Sequence, residues 1–321
     1  MKMKIELLSN LLRKLEANIG TRDVLNMLLL SLLDSFKNLE VKNSQDFYCQ
    51  FKELAFVLSQ TEPKFGIINY HIANLLRKFS EQICIKGEKD WLKFATNEIE
   101  NILKNGEQGK KALMKYADKL NVEGKTILIH DHSHTVQDVL AHLKYSGRKF
   151  NVIIAEQNFD KTQSNIERLT SAEIPFQVVP SYMLSHIHEQ IDMLFFGALT
   201  LKDTMDFVMD PGTHGIISEF HIVHKPVYMF IDTSKFSLWK SQKRTEVFMR
   251  KHEYEHSTKN IKYEKIKYSH DRVPAELFHK IVTNEGVFDL KGIKALFDKK
   301  FEGYKETIEF LKANEKEFVV C

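Results

Sequence analysis

Thr126-Ile127-Leu128-Ile129-His130 and Asn151-Val152-Ile153-Ile154-Ala155 are two apolar runs of strand length, separated by a helical segment from Thr135 to Tyr145 that stops at Gly147. Neither run alternates apolar with polar residues. Strands of that kind are buried on both faces, which is the condition inside a parallel sheet covered by helices. The pattern continues outward. A helix is predicted from about Thr162 to Ala172, a strand at Phe176-Gln177-Val178-Val179, a short helix from Met183 to Gln190 and a strand from Ile191 to Phe196. A helix from Thr213 to Val223 and a strand from Val227 to Ile231 follow. Strands alternating with helices make an α/β domain with a Rossmann-like parallel sheet and right-handed crossovers.

Residues 1–120 follow the helical period instead. Ile5, Leu8, Leu12 and Leu15 recur at helical spacing on a charged segment. Further helices are expected from Arg22 to Leu39, with Thr21 as N-cap, from Gln45 to Gln60 and from Gly66 to Phe79. Trp91 to Leu120 reads as one long or two shorter helices, and no strand is expected here. The division is therefore an all-helical N-terminal domain over 1–120 and an α/β domain over 121–321. Residues 236–272, from Lys240 through Lys267 to Arg272, are polar and basic and suggest an arm or long insertion. From Pro274 the chain reads as helical again.

With 321 residues the chain can bury two cores. A net charge of +3 gives little reason to expect direct nucleic-acid binding. Cys49, Cys84 and Cys321 lack metal or redox spacing and fit free thiols in a reducing compartment. Glu6, Arg13, Lys14 and Glu16 interrupt any secretory apolar core. The longest apolar stretches, Met27 to Leu33 and Met193 to Leu201, are too short to span a bilayer. A cytoplasmic protein without membrane contact is the expectation.

Ligands of such sheets bind beyond the carboxyl ends of the strands. That rule selects His130 to His134, Glu156-Gln157, Ser181 to His186, Gly197 to Leu199, Asp210 to His214 and Asp232 to Lys235. No G-x-G-x-x-G follows the first strand, and no P-loop or G-x-S-x-G elbow is present, so no cofactor is expected. His130-Asp131-His132-Ser133-His134 admits two readings. In one, His130, His132 and His134 hold zinc or manganese with His186, Asp210 or His214. In the other, Asp131 or Ser133 caps a helix and the histidines are polar loop residues. Asp210-Pro211-Gly212-Thr213-His214 is similarly double: an anion site of free N–H groups, or a turn with an N-cap.

Taken in order, these segments resemble the family of the alpha, beta and delta subunits of eukaryotic initiation factor 2B. That family includes isomerases of methylthioribose-1-phosphate and ribose-1,5-bisphosphate. Glu62-Pro63 through Leu76 resembles its R-P-[TS]-A-x-x-L helix, and Ile127 to His130 its I-L-T-H strand. Ala155-Glu156-Gln157 stands where the family has [TA]-E-[ST]-R-P, and Phe196 to Leu199 resembles V-G-A-D. Asp210 to Thr213 resembles N-K-[IV]-G-T, Phe230 to Phe236 the strand ending in K-F, and Tyr268 to Gly286 the Y-D-x-[TV]-P segment. The resemblance implies a helical domain followed by a Rossmann-like domain that dimerises.

The isomerases' chemistry does not carry over residue by residue. Their Cys after T-H is Asp131 here, and their Asp of G-A-D is Leu199. Moving hydrogen between adjacent carbons requires positioned acid–base groups, and Leu199 offers none. Their Arg before Pro is Glu62, and their Asn-Lys is Asp210-Pro211, which disfavours a phosphate dianion. The expectation is a non-catalytic regulatory or scaffold protein whose ligand-binding pocket comprises His130, Asp131, His132, Gln157, Leu199, Asp210, Gly212, Thr213 and Lys235. Its implied partners are a second copy, initiation factor 2B subunits or the alpha subunit of initiation factor 2. The alternatives are an isomerase-like enzyme using Asp131 and Asp210, and a metal-dependent enzyme using His130 to His134.

Overall fold

The computed structural model describes residues 2–38, 44–61, 65–83, 85–238, 249–256 and 261–314. Its first part is helical, as the apolar spacing requires: α1 (Lys2–Asn38), α2 (Ser44–Ser59), α3 (Gly66–Ile83) and α4 (Glu88–Ala117). Their apolar faces close on one cluster that includes Leu12, Leu29, Phe47, Phe51, Phe79 and Trp91. Ring centroids lie 5.1 Å apart for Phe51–Phe79 and 5.4 Å for Phe79–Trp91, at tilted or edge-on angles that aromatic quadrupoles favour. α1 is not a straight rod. Gly20 has φ +80° and ψ 160°, a conformation nearly confined to glycine, and the chain bends there. The expected N-cap at Thr21 is not made, because Thr21 Oγ1 is buried without a hydrogen-bond partner. Backbone freedom at Gly20 makes the bend instead.

The α/β part then runs β1 (Thr126–Ile129), α5 (His134–Tyr145), β2 (Asn151–Glu156), α6 (Phe159–Ser171), β3 (Phe176–Pro180) and β4 (Met193–Gly197). The segment between β3 and β4 is a 3-10 helix, Ser181–Gln190. Next come β5 (Thr200–Leu201), β6 (Asp206–Met209), α7 (Thr213–Ile222) and β7 (Val227–Phe230). The chain ends with β8 (Met249–His256), β9 (Ile261–Tyr268), β10 (Asp271–Pro274), β11 (Lys280–Thr283), β12 (Gly286–Phe288) and α8 (Leu290–Ala313). The main sheet has the order β12-β11-β7-β4-β1-β2-β3, parallel except for β12. Strand order reverses between β1 and β4, the switch point at which such sheets open a crevice. Apolar residues such as Ile127, Leu128 and Ile129 are fully buried, as continuous runs inside a covered sheet must be.

Two expectations need correction. The chain after Pro274 is not simply helical: β11 pairs with β7 and β12 pairs with β11 before α8 begins. Four residues, Lys280 to Thr283, are too few to display a period. A small antiparallel sheet, β10-β6-β5, was also not anticipated, since β5 has two residues and β6 four. The basic stretch within 236–272 contains the β8–β9 hairpin, a two-stranded sheet of its own. Glu62, Pro63, Cys84, Lys240 and Cys321 lie outside the described residues.

The two parts interlock. Leu113, Met114 and Ala117, in the last turns of α4, belong to the core on one face of the main sheet. On the other face, α8 contributes Ile293, Phe297 and Tyr304, while its Phe310 packs on the helical cluster. Arg77 Nε donates to Thr307 Oγ1 at 3.0 Å, and Arg22 Nη2 pairs with Asp232 Oδ2 at 2.9 Å. No helix among the described residues is long and apolar enough to cross a membrane.

A Cβ at Gly20 would lie 2.7 Å from His134 Nδ1, besides straining the backbone. Gly20→Ala is therefore expected to lower stability by about 1–3 kcal/mol in urea unfolding. An unchanged midpoint would mean that α1 tolerates another path across the strand ends.

Candidate functional site

Beyond Ile129 the chain leaves β1 and must satisfy its polar groups locally. Ser133 Oγ accepts the Val136 N–H at 3.4 Å and caps α5, the structural role foreseen for it. Asn165 Nδ2 donates to the Asp131 carbonyl at 3.0 Å, and Gln137 Nε2 donates to Asn165 Oδ1 at 2.8 Å. Both amides are buried, so the loop carrying Asp131 is held from beneath. At the end of β4, a Cβ on Gly197 would collide with the Ser133 side chain. Glycine there lets the loop rest on β4, and the Gly197 N–H donates to Asp131 Oδ2 at 3.2 Å.

A cleft of about 70 Å³ opens over these strand ends, room for several waters. Asp131, His132, His134, Leu199, Asp210 and Lys235 line it from the α/β part, and Glu16, Gly20 and Arg22 line it from α1. Its central charge, Asp210, is paired internally. Asp210 Oδ2 accepts from His132 Nδ1 at 3.2 Å, and Asp210 Oδ1 pairs with Lys161 Nζ at 2.6 Å. Burial works against the Asp210 carboxylate, but these two partners hold it well below the usual carboxylate range. Burial likewise opposes the His132 imidazolium, and Asp210 outweighs it, so the His132 pKa is raised.

Asp131 has the opposite fate. Burial, reinforced by the nearby Asp210 charge, pushes its carboxyl up to about 7. One of its oxygens, Oδ1, is buried without a hydrogen-bond partner, which suits a neutral acid better than a carboxylate. Burial also raises Glu16. Lys235 Nζ donates to the Ala198 carbonyl at 3.2 Å, and burial with the Arg22 charge pulls it down to about 8. Arg22 is paired with Asp232, and Lys110 Nζ with Asp138 Oδ2 at 2.6 Å.

Of the residues selected from sequence, Asp131, His132, Leu199, Asp210 and Lys235 meet in this cleft. His130, Gln157, Gly212 and Thr213 are not among its lining residues. His130 Nδ1 donates to the Ala155 carbonyl at 3.1 Å, and burial lowers its pKa. The Gln157 N–H donates to Thr162 Oγ1 at 3.0 Å in the turn after β2. Thr213 is fully buried. The anion reading of Gly212-Thr213 is answered from within the chain: Asp271 Oδ2 accepts the Gly212 and His214 N–H groups at 3.0 and 2.9 Å. A carboxylate at a helix start is the arrangement that the free N–H groups favour.

The histidines are engaged separately. His130 bonds Ala155, His132 bonds Asp210, and the His134 ring, 6.0 Å from that of His132, lies under Gly20. Among the described residues no three His, Cys, Asp or Glu side chains are grouped to hold a metal ion. Glu16, Arg22 and Lys161 were not foreseen at the site. Gly20 inside an apolar-periodic helix was the available signal, since an interior glycine often marks close backbone approach. Lys161 carried none, being one lysine on an amphipathic helix.

The Initiation factor 2 subunit family model matches residues 20–290. Translation initiation factor eIF2B subunit alpha of Dictyostelium discoideum is 26% identical over 174 residues, covering 52% of this chain and 54% of that protein. The chain spans about half or less of the length of the curated relatives it matches. Among solved structures, a chain of the tetrameric eIF2B-beta2-delta2 complex from C. thermophilum is similar at TM-score 0.69 and 17% identity, covering 93% of this chain and 94% of that one. The 5-methylthioribose 1-phosphate isomerase of Pyrococcus horikoshii OT3 is similar at TM-score 0.70 and 15% identity, covering 92% and 87%. These two likenesses concern the fold, which a chain of that complex and an isomerase share. The match over most of the chain, on the helical-plus-parallel-sheet architecture described above, establishes that this chain belongs to the initiation factor 2 subunit family.

Proposed function

We propose that this chain is a non-catalytic regulatory or scaffold subunit that acts in translation initiation through protein–protein contact in the cytoplasm. The observation that carries the reading is the cleft's chemistry: Leu199 and a buried Asp131, its carboxyl pushed up to about 7, line the same cleft, and Arg22, Lys110 and Lys161 are engaged in ion pairs within the chain while Lys235 is hydrogen-bonded to a backbone carbonyl. A sugar-phosphate isomerase needs free acid–base groups and a cationic seat for the phosphate. Relatives named as eIF2B subunits support an assembly role, and one similar structure is of a beta2-delta2 tetramer. The proposed partners are a second copy of this chain, eIF2B subunits and the alpha subunit of initiation factor 2. No cofactor enters the proposal.

One observation favours the enzyme alternative. Asp131 and Glu16 both have raised carboxyl pKa values in the same cleft, a feature that also marks active sites. Two measurements separate the readings. Light scattering coupled to size exclusion, with the chain alone and mixed with an eIF2B subcomplex, is expected to give a dimer that co-elutes with the subcomplex. A chain that stays apart from every eIF2B subunit and turns over methylthioribose-1-phosphate, with turnover lost in Asp131→Asn, would establish the enzyme instead.

The second measurement is the pH dependence of stability. With the Asp131 pKa raised from 3.8 to about 7, the folded chain holds a proton that the unfolded chain releases. Its contribution to stability therefore falls as pH rises through that window and levels off above it. Asp131→Asn removes this dependence while its amide oxygen can still accept the Gly197 N–H. The variant should gain on the parent between about pH 5 and pH 8, by at most roughly 1.4 kcal/mol per pKa unit. Urea unfolding at both pH values reads this directly. A constant difference would mean that Asp131 is ionised throughout and available as a base.

A further inference from the structure

Arg22 and Lys110 are matched by carboxylates at the cleft, and Lys235 is not. It ends the short 3-10 turn Thr233–Lys235 that follows β7. Three bonds hold that turn: the Ser234 N–H to Asp232 Oδ1 at 2.9 Å, the Thr233 N–H to Asn284 Oδ1 at 2.9 Å, and Thr200 Oγ1 to the Lys235 carbonyl. The Lys235 side chain lines the cleft, where its Nζ donates to the Ala198 carbonyl at 3.2 Å and makes no ion pair among the described residues. A lysine withdrawn from water for structure alone is ordinarily paired. One carbonyl uses only one of its hydrogens, so the neutral amine keeps that bond with its lone pair free.

The charges that Lys235 feels come from three parts of the chain: Arg22 and Glu16 of α1, Asp131 of the loop after β1, and Asp232 of its own turn. Burial and the Arg22 charge favour the free amine. A desolvated lysine near another cation is the setting in which an amine becomes a nucleophile toward carbonyl compounds. The same cleft holds an acid. Asp131 keeps its proton up to about pH 7, and its Oδ1 has no hydrogen-bond partner. Thr21 Oγ1, on a second lining residue, is also without one. These groups suit a hydroxyl. Glu16 and Asp210 stand against an anion, and Leu199 adds an apolar wall. The cleft's volume of about 70 Å³ limits an occupant to roughly five non-hydrogen atoms, each taking about the room of one water.

We propose that Lys235 captures a small uncharged hydroxyaldehyde as an imine, with Asp131 as the proton donor. The Nζ lone pair attacks the carbonyl carbon, the C=O π pair moves to oxygen, and an amine proton transfers to that oxygen to give a carbinolamine. Asp131 then protonates the hydroxyl, the C–O bond breaks to release water, and the nitrogen lone pair closes the C=N bond. The products are a protonated imine and the Asp131 carboxylate, so the two charges created offset each other. No oxidant or reductant takes part, and water reverses the reaction. Reversible capture is not turnover. It goes beyond the scaffold reading and does not depend on it.

The test treats the full chain with glycolaldehyde and cyanoborohydride, which reduces an imine to a stable secondary amine, and maps every lysine by peptide mass spectrometry. With its pKa lowered to about 8, Lys235 carries on the order of a hundredfold more free amine at neutral pH than an exposed lysine near about 10.4, an advantage partly offset by weaker basicity. Lys235 is expected to be modified at least about tenfold faster than exposed lysines. Its rate should saturate with aldehyde, where theirs rise linearly. It should also peak between about pH 7 and pH 8, because the reaction needs both the free amine and the Asp131 proton. Exposed lysines should only quicken across that range. Asp131→Asn should slow modification of Lys235 at least about fivefold and abolish the fall on the alkaline side. Lys235→Arg, which keeps the charge, should remove the saturating adduct. Thermal melts check folding, and Lys235→Met replaces Lys235→Arg if that variant melts early. A Lys235 no faster than exposed lysines, or a rate linear in aldehyde, would overturn the proposal on the parent chain alone. An unchanged rate in Asp131→Asn would overturn the role given to Asp131.

Discussion

The Asp210 carboxylate, held between His132 Nδ1 and Lys161 Nζ, is the interaction on which the cleft depends. A charge withdrawn from water must be paired, and this one has two cationic partners. The consequences spread from it. The His132 pKa is raised against its burial, which favours the imidazolium. Lys161, the cation contributed by α6, is closed off from a ligand. The neighbouring Asp131 meets a fixed negative charge as well as burial, and its neutral form is favoured. Glu16, reaching over from α1, is raised by burial and by the same charge. His132, Asp131 and Glu16 thus all feel a single buried anion, in addition to their own burial.

Geometry sets how closely these groups approach. Gly20 bends α1 so that Glu16 lies on one side of the turn and Arg22 on the other, both over the strand ends. Gly197 lets the loop after β1 lie against β4 and donates its N–H to Asp131. Neither position tolerates a Cβ without displacement. The Arg22–Asp232 pair then joins α1 to the turn after β7, so the helical part closes the crevice that the sheet topology opens.

The fold was legible wherever a segment was long and uniform. The apolar strands β1, β2, β4 and β7 are buried on both faces, and a run such as Asn151 to Ala155 declares that without help from the rest of the chain. The period-3.6 stripes of α2 and α3 were equally plain. Short strands were not: Thr200-Leu201 and Asp206 to Met209 form a sheet only because β10 returns beside them from a distant part of the chain. The site divides on the same line. Strand-end residues such as Asp131 and Lys235 follow from topology. Glu16 and Lys161 reach the cleft through tertiary packing, and the Asp271 carboxylate that fills the α7 start is far from Gly212 in sequence.

The substitutions that set this cleft apart from the isomerase pattern are physically coupled. An acid at position 199 would put a further carboxyl into a cleft that already holds Asp131, Asp210 and Glu16. Each added carboxyl in a poorly solvated site makes ionisation of the others harder. With Asp210 fixed as the carboxylate and paired to Lys161, an uncharged residue at 199 is the compatible choice, and Leu199 meets it. Here the acidic residue at 210 has matching cations, the helix start beside it has its own carboxylate in Asp271, and the Asp131 carboxyl is pushed up to about 7. These linked pairs tie the cleft's polar groups to the junction between α1 and the sheet, where Arg22 reaches Asp232 and Glu16 lines the same space as Asp210.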